Sequence, residues 1–269
     1  MMASSTVTHR PGQGTADLLA GCRAWRRWLI LGWHDFRLQH HRTVIGPLWQ
    51  ALQLALWITG LALIFGTGFR RGVENYIPYL TVGLICWNIL SSSLLAGPQV
   101  FHKNANLILN LNAPLSLYVY RELVVILGRT LFQLPVMCLV LPFFDVPISL
   151  TMLWAIPGVI AILLTGIWVM MVGAIIGTRY RDFKHAMSSI MRFLFFASPI
   201  VWGPVPGTAR GLIALYNPVA HYLEVVRAPL LGQMPSLTSW GVVLFCTLVG
   251  YPIMIVLFNR YRASIVFWL

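Results

Sequence analysis

Acidic side chains are the first candidates for chemistry in this sequence, because paired carboxylates could support acid–base catalysis or bind a metal ion. All of them fall at the ends of apolar stretches or in the links between these stretches. They are Asp17, Asp35, Glu74, Glu122, Asp145, Asp182 and Glu224. An ion relay or an intramembrane hydrolase would need ionisable groups deep inside the apolar stretches. Neither function is indicated, because no two carboxylates pair there.

Motifs for nucleotide binding and hydrolysis are also absent from the sequence. It has no G-x-x-x-x-G-K-[ST] phosphate loop, no H-E-x-x-H zinc motif and no G-x-S-x-G nucleophile turn. The four cysteines show no C-x-x-C spacing, so neither a zinc site nor a disulfide framework is predicted. We therefore expect no catalytic residue, no metal and no cofactor on this chain.

Arg129 is the one ionisable residue predicted well inside an apolar stretch. It could contact an anionic substrate. It could also extend to the cytoplasmic surface, towards Glu122 on the same helical face, and we prefer this second interpretation. A transporter with neither an energy source nor an ion relay of its own needs an external motor.

The composition predicts which elements position these residues. Hydrophobic residues make up 58% of the chain and charged residues 10%, whereas soluble domains carry about 25% charged residues. Most of the excess lies in apolar stretches of about 20 residues, enough to cross a hydrocarbon core of about 30 Å. These lie at 44–66, 76–96, 123–144, 148–177, 186–204 and 240–258. The sequence predicts an all-α membrane protein with six transmembrane helices in one domain, 44–269.

Residues 1–43 are predicted to form a cytoplasmic N-terminus that contains an amphipathic helix. At 100° per residue, one face of this helix is apolar and carries Leu18, Cys22, Trp25, Leu29, Trp33 and Phe36. The opposite face is basic and carries Arg23, Arg26, Arg27, His34 and Arg37. This pattern is typical of an interfacial helix lying on a membrane. A helix packed on a soluble domain is the weaker alternative, because no such domain is left to cover.

The basic residues predict the orientation of the chain in the membrane. The net charge of +12 could indicate a nucleic-acid partner, but lysine and arginine cluster beside apolar stretches, as membrane topology requires. One side holds Arg10, Arg23, Arg26, Arg27, Arg37, Arg42, Lys103, Arg121, Arg179, Arg181, Lys184, Arg192, Arg260 and Arg262. The other holds Arg70, Arg71, Arg210 and Arg227. The positive-inside rule therefore places both termini in the cytoplasm.

Two links are long enough to hold short helices. The cytoplasmic link at 97–116 carries apolar residues at helical spacing. The external link at 205–239 contains Asn217-Pro218, an N-cap followed by proline at the first helical position. The apolar segment after it, 219–231, is too short to span a membrane. We expect a short re-entrant or external helix there, which could form part of a gate.

Four short segments resemble type-2 ABC permeases of polysaccharide export, a family that includes O-antigen, teichoic acid and capsule exporters. Residues 41–49 (HRTVIGPLW) open the first span, and residues 177–183 (GTRYRDF) join the fourth span to the fifth. Residues 198–202 (SPIVW) end the fifth span, and residues 216–220 (YNPVA) follow in the external link. Their order and spacing extend the resemblance from about residue 17 to the end of the chain.

The resemblance implies a subunit that exports a lipid-linked polysaccharide across the bacterial inner membrane. The partners it implies are a second copy of the chain, membrane lipids and two separate ATPase subunits, which bind the ATP and Mg. The segment at 99–110 would be a coupling helix and 179–185 a second ATPase contact. The implied ATPase-coupling residues are Phe101, His102, Lys103, Arg179, Arg181 and Asp182. The other interpretation of the second contact is ordinary membrane anchoring, with Asp182 capping the next helix, and both can hold together because they use the same surface.

The resemblance also implies residues at the two ends of the transport path. Arg23, Arg26, Arg27 and Arg37 would meet the lipid headgroup or the incoming substrate, although plain lipid anchoring is an equal alternative. Arg129 is the further candidate for a contact to an anionic substrate, beside the preferred interpretation given above. The external gate would include Asn217, Pro218, Tyr222 and Arg227.

Aromatic rings are side chains on which sugars can stack within a channel. The candidates are Trp57, Trp87, Trp168, Phe195 and Phe196, and for each of them packing or interface anchoring is the main alternative. Two other functions stay open. An exporter of a drug or lipid would need a closed apolar pocket. A membrane enzyme acting on lipid-linked sugars would have to use Asp35, Glu122 or Asp182.

Overall fold

The computed structural model describes residues 13–66, 72–205 and 207–269, and within these ranges the regular structure is helical. Arg10 and the rest of residues 1–12, together with Arg70 and Arg71 of the external group, lie outside them. The helices are α1 (Gln13–Arg23), α2 (Trp25–Gln39), α3 (Trp49–Phe65), α4 (Gly72–Ala96), α5 (Val100–Lys103), α6 (Ala105–Asn110), α7 (Ser116–Leu131), α8 (Leu134–Phe143), α9 (Ala155–Arg179), α10 (Phe183–Ala197), α11 (Ala209–Tyr216), α12 (Pro218–Leu230) and α13 (Leu237–Trp268). The predicted all-α class is confirmed.

Within the described ranges, five helical segments are long and apolar enough to cross a membrane. They are Gly46–Phe65, Glu74–Lys103, Ser116–Phe143, Leu150–Arg179 and Leu237–Trp268. Each overlaps one of the predicted spans. Of the five, only Leu237–Trp268 is a single uninterrupted α-helix. The first and fourth open with 3-10 turns, the second contains a 3-10 turn at Gly97–Gln99, and the third is broken between α7 and α8.

The predicted fifth span at 186–204 is the exception, and the count of six long spans is corrected to five. α10 has 15 residues, which is about 22 Å of helix and shorter than the hydrocarbon core. It ends because Pro199 disfavours a helical conformation at the residue before it. Ser198 is accordingly extended, with φ −97° and ψ 149°.

α10 nevertheless runs between the two ends of the bundle. We call one end the basic end, because it carries Lys103, Arg179 and Arg262. At this end α1 lies beside the last turns of α13, where the Gly14 amide donates to Asn259 Oδ1 at 2.8 Å. α10 starts at this end, just after α9. The segment following α10 contacts Tyr76 and Tyr79, near the start of α4 at the opposite end. Short as it is, α10 therefore joins the two ends.

The predicted amphipathic helix is two helices, α1 and α2, which break at Ala24 (φ −80°, ψ 29°). α2 runs alongside α7, and at Gly32 the two helices touch closely. A Cβ on Gly32 would lie 2.6 Å from the Arg121 carbonyl oxygen. Of the predicted apolar face, Phe36 is buried in this contact, whereas Trp25 and Trp33 are exposed. The place of α2 in the membrane interface stays a prediction.

Candidate functional site

At the basic end, the predicted coupling helix at 99–110 consists largely of α5 and α6, which are separated at Asn104. Phe101 is fully buried (0% exposed), so it fixes the segment to the bundle and offers no surface contact. His102 Nε2 lies 3.3 Å from the carbonyl oxygen of Gly177 in α9. Lys103 is exposed and pairs with Glu122 at 2.9 Å. Of these three predicted ATPase contacts, His102 and Lys103 therefore offer accessible atoms and Phe101 does not.

Arg121 connects this coupling segment with the N-terminal helices. Its guanidinium donates to both carboxylate oxygens of Asp35 on α2, with Nη2 2.6 Å from Oδ1. Its third donor, Nη1, lies 3.2 Å from Asn104 Oδ1 between α5 and α6. Both charged side chains are largely buried, and a bidentate pair of this kind is strong and directional. The sequence gives no signal for this role of Arg121, because its partner Asp35 lies far away along the chain.

A second buried carboxylate, Asp17, joins three helices at the same end. It accepts from the backbone amides of Leu115 and Ser116 at 3.1 and 3.0 Å, and from the Ser116 hydroxyl at 2.8 Å. Arg262 of α13 lies 2.8 Å from Asp17 Oδ2. Asp17 therefore satisfies free amides at the start of α7 while it binds α13. We call these four residues the Asp17 clamp.

The predicted second ATPase contact is exposed at the basic end. The Arg179 guanidinium lies over the rings of Tyr180 and Trp268, 5.4 and 5.2 Å from the two ring centroids. Arg181 and Asp182 are exposed as well. Asp182 stands at the N-cap position of α10, but its backbone is helical and its side chain makes no capping hydrogen bond. The expected cap is therefore wrong.

The predicted substrate-access arginines of the N-terminal helices are all exposed: Arg23, Arg26, Arg27 and Arg37. Arg129 is half-buried and donates to Gln39 Oε1 of α2 at 2.8 Å. The prediction that the Arg129 side chain extends towards Glu122 is wrong. Arg129 binds Gln39, and Glu122 is paired with Lys103.

Four of the five predicted channel aromatics form one cluster between α3, α4 and α10. The centroid of the Phe195 ring lies 6.3 Å from that of Trp57, 5.7 Å from Trp87 and 5.2 Å from Phe196. Trp57 and Phe196 are exposed at its edge, and Trp87 is buried. The fifth, Trp168, packs instead against α13, where Gly250 leaves room for its ring. We call Trp57, Trp87, Phe195 and Phe196 the aromatic cluster.

At the opposite end, the non-helical segment after α10 has carbonyl groups that need donors. The Tyr76 hydroxyl donates to the Val201 carbonyl at 2.9 Å. The Tyr79 hydroxyl lies 2.9 Å from the Pro199 carbonyl oxygen and 3.0 Å from that of Trp202. Irregular backbone is tolerated at membrane depth only when such groups are satisfied within the protein. We call residues 198–202 the bend.

α12 supplies the remaining donors to the bend. Arg227 is 6% exposed, its Nη1 donates to the Pro199 carbonyl at 2.7 Å, and its guanidinium lies 3.8 Å from the Tyr79 ring centroid. Asn217 Nδ2 donates to the Ala197 carbonyl at 3.1 Å and to the Ser198 hydroxyl at 2.9 Å. Two predicted gate residues thus hold the bend in place.

The helix α12 begins as the sequence predicts. Asn217 Oδ1 accepts from the Val219 amide at 3.0 Å, and Pro218 opens the first turn. Tyr222, the fourth predicted gate residue, is buried, and its hydroxyl lies 2.7 Å from Thr165 Oγ1 of α9. It therefore ties α12 to the bundle and does not line an open surface.

Replacing Arg227 with methionine should lower the free energy of unfolding by about 1–3 kcal/mol, the cost of leaving a buried acceptor short of a donor. The substitution keeps the apolar stem but removes one of the two donors to the Pro199 carbonyl and the cation over Tyr79. The single hydrogen of the Tyr79 hydroxyl then has to serve both Pro199 and Trp202. Chemical unfolding of the purified protein in detergent measures the change. Arg210→Met, at an exposed arginine of α11, is the matched control. Equal stabilities of the two variants would contradict the role assigned to Arg227.

No hydrogen bond joins the carboxylates of the enzyme alternative among the described residues. Asp35 is bound to Arg121 and Glu122 to Lys103, while Asp182 is exposed on a different segment. Over the described part of the chain, no group of three His, Cys, Asp or Glu side chains could hold a metal ion.

The fold defines an integral membrane protein, a bundle of helices of which five, among the described residues, are long and apolar enough to cross a membrane. The ABC-2 type transporter family matches residues 26–231, well over half of the chain, and the protein belongs to this family. The predicted resemblance to type-2 ABC permeases is therefore confirmed, and the role of the chain is transport rather than catalysis.

Similar proteins include permeases of bacterial export systems. The O-antigen export system permease protein RfbA of Myxococcus xanthus is 24% identical over 200 residues, which cover 72% of this chain and 76% of the relative. Two proteins of the same name from Klebsiella pneumoniae are 23% and 25% identical over 192 and 193 residues. Each alignment covers 70% of this chain and 74% of the relative.

Proposed function

We propose that this chain is the permease subunit of an ATP-driven exporter that moves a lipid-linked polysaccharide across the bacterial inner membrane. The observation that carries the proposal is the match to permeases named for O-antigen export along at least 70% of the chain. The aromatic cluster gives it a physical basis, because exposed rings can stack on the apolar faces of sugars while the sugar hydroxyls stay hydrated.

The working assembly in this proposal has two copies of the chain and two ATPase subunits that carry ATP and Mg. The basic end faces the cytoplasm, since lysine and arginine concentrate there and the positive-inside rule applies to short links. Both termini are then cytoplasmic. α10 together with the bend makes the sixth crossing, and its short length is accommodated because the bend is buried within the protein.

The ATPase subunits dock on the coupling segment and on the exposed residues after α9. Lys103, Arg179 and Arg181 present positive charge at this surface, next to the half-buried His102. Asp182, freed from capping α10, is available to a basic partner. Movement of the ATPase would reach α7 and α2 through Asn104 and Arg121.

Lipid-linked substrate approaches along α2. A groove of about 490 Å³ runs between α2 and α7, with largely apolar walls and basic side chains at its edge. It is lined by Leu29, Ile30, Trp33, His34, Arg37 and Val124. The walls suit a polyprenyl chain and Arg37 suits its phosphate, with Arg23, Arg26 and Arg27 along the same helices. Arg129 holds the end of α2 through Gln39.

Shortening the exposed rings of the aromatic cluster should slow export. Trp57→Ala and Phe196→Ala each remove one ring contact, worth about 0.5–1.5 kcal/mol, so a loss of several-fold up to about tenfold is expected. The measurement is polysaccharide export by the permease–ATPase complex in proteoliposomes. Phe143→Ala is the control, because Phe143 is an exposed aromatic of α8 outside the cluster. Equal losses in all three variants would contradict a channel role for the cluster.

The assembly is tested by affinity purification from native membranes in mild detergent, followed by native mass spectrometry. Two copies of this chain with two P-loop ATPase subunits and a retained glycolipid are expected. Retention of a drug-like molecule or a simple lipid would favour the alternative exporter. A chain that arrives without an ATPase, under conditions that preserve other complexes, would overturn the proposal.

A further inference from the structure

A buried histidine joins three helices at the end of the bundle opposite the basic end. His221 of α12 is 5% exposed, and its Nε2 lies 2.9 Å from the Leu215 carbonyl oxygen at the end of α11. Its Nδ1 lies 2.7 Å from the hydroxyl oxygen of Ser239 at the start of α13. The same hydroxyl oxygen lies 2.7 Å from Glu224 Oε2. We call His221, Ser239, Glu224 and the Leu215 carbonyl the histidine latch.

Counting protons shows which charge state fills every contact of the latch. A carbonyl oxygen only accepts, so Nε2 of His221 must carry hydrogen. The single hydrogen of Ser239 can serve either Glu224 or Nδ1. If it serves an ionised Glu224, Nδ1 must also be protonated, which makes His221 an imidazolium. If it serves Nδ1, Glu224 must be protonated. Both cases hold one proton more than a neutral histidine with an ionised glutamate.

The latch is otherwise well fixed. The Ser236 amide donates to Glu224 Oε1 at 3.1 Å, and the Ser236 hydroxyl lies 3.0 Å from the Ser239 hydroxyl. Without the extra proton, the Ser239 hydroxyl can donate to only one of its two partners. The Ser239 oxygen then faces a second acceptor, either Nδ1 of His221 or the Glu224 carboxylate, at 2.7 Å. Moving α11 or α13 away from α12 would relieve that repulsion.

We propose that the latch holds one proton while α11, α12 and α13 are arranged as seen here, and releases it when these helices separate. His221 and Glu224 are then positioning residues for the gate, because α12 also carries Asn217 and Arg227, which bind the bend. The proton store itself depends only on the latch geometry. Its effect on export rests on the proposed function.

The groups around the latch do not replace this proton. α11 contributes the Leu215 carbonyl, while its Arg210 and Tyr216 are exposed. α4 contributes Tyr79, which interacts electrostatically with Glu224 and with Arg227. α13 contributes hydroxyl groups, and α9 presents the Thr165 hydroxyl to Tyr222.

The first test is the pH dependence of unfolding of the purified permease dimer. An imidazole in an unfolded chain gives its proton up near pH 6.5, so unfolding above that pH releases the proton that the proposal places in the latch. The native state then binds more protons than the unfolded state, so the stability of the wild type falls as pH rises. Relative to His221→Gln, its unfolding constant should rise up to tenfold per pH unit between about pH 6.5 and the pH at which the latch deprotonates.

Two further variants keep the test decisive. Glu224→Gln can donate its amide hydrogen to Ser239, which then donates to a neutral His221, so this variant fills every contact without the extra proton. It should behave like His221→Gln, and it replaces that variant if glutamine at 221 prevents folding. His185→Gln removes an exposed histidine of α10 and should follow the wild type. Parallel pH profiles for the wild type and Glu224→Gln would overturn the proposal.

The second test separates the latch from the proposed function. Export by the permease–ATPase complex in proteoliposomes is followed while the pH on the latch side is varied from 5 to 8, the range over which histidine changes charge. Wild-type export should rise with pH, and export by Glu224→Gln should be flat. The pH profiles of unfolding can differ as expected while the complex exports no polysaccharide. That result would overturn the proposed function but would still support the proton in the latch. If export by the wild type and by Glu224→Gln has the same pH profile, the latch does not control the gate.

Discussion

Replacing Asp17 with alanine is expected to lower the free energy of unfolding by about 3 kcal/mol, the largest stability loss foreseen for an acidic side chain of this protein. The change leaves the amides of Leu115 and Ser116 without their acceptor at the buried start of α7. Arg262 loses its ion-pair partner as well. This guanidinium is a third exposed, so solvent compensates part of that loss. Chemical unfolding in detergent provides the measurement.

The matched control for Asp17 is Asp182→Ala. Asp182 is also a carboxylate at the basic end, but it is exposed and makes no capping bond, so a change within about 0.5 kcal/mol is expected. Asp17→Asn should fall between the two, because the amide oxygen still accepts one hydrogen bond. If Asp17→Ala is as stable as Asp182→Ala, the clamp does not hold α1 to the bundle.

Replacing Arg121 with alanine is expected to lower export by about tenfold or more while ATP hydrolysis continues. The substitution cuts the path from Asn104 to Asp35, so movement of the coupling segment no longer reaches α2. Tenfold corresponds to about 1.4 kcal/mol, less than the loss expected when one member of a buried charge pair is removed. Export and ATP hydrolysis are measured on the same proteoliposomes. A parallel fall in both rates would indicate lost assembly and would contradict coupling through Arg121.

Two companion variants sharpen this test. Arg121→Lys keeps the charge but cannot bind both oxygens of Asp35 together with Asn104, so partial coupling is expected. Arg129→Ala, two turns further along α7, removes one bond to Gln39 and should leave the ratio of export to hydrolysis near that of the wild type. A double-mutant cycle with Asp35→Ala then measures the interaction between the two side chains, because residues in direct contact are not additive.

The sequence predicts the helices well because the signals for them are local. A run of about 20 apolar residues marks a span wherever it occurs, and five such runs coincide with long helices. The start of α12 is similarly local, since Asn217 and Pro218 act on the next few residues. The exception, α10, ends at Ala197 because Pro199 holds Ser198 in an extended conformation, yet the apolar run continues beyond it. Hydropathy alone therefore extended this span too far.

Most of what lies at the two sites could not be predicted, because it depends on contacts between distant residues. Arg121 and Asp35 are separated by 86 positions. The sequence also does not show which aromatic rings contact each other. Trp57 and Trp168 both lie in apolar runs, but Trp57 belongs to the aromatic cluster and Trp168 packs on Gly250. Phe101 was expected at a surface and is buried, since helical spacing does not tell which face meets the bundle.

The Asp17 clamp has a consequence for the synthesis of the chain. Asp17 and Arg262 are 245 positions apart, and ribosomes add about 5–20 residues per second, so α1 is made roughly ten to fifty seconds before its partner exists. Throughout that time Asp17 can bind the amides at the start of α7, but its contact to Arg262 is missing. A chain that stalls or inserts its last helix wrongly leaves the clamp incomplete. The full clamp thus marks a molecule in which α13 has inserted, and a protease acting at that face could distinguish it from a molecule in which α13 is out of place.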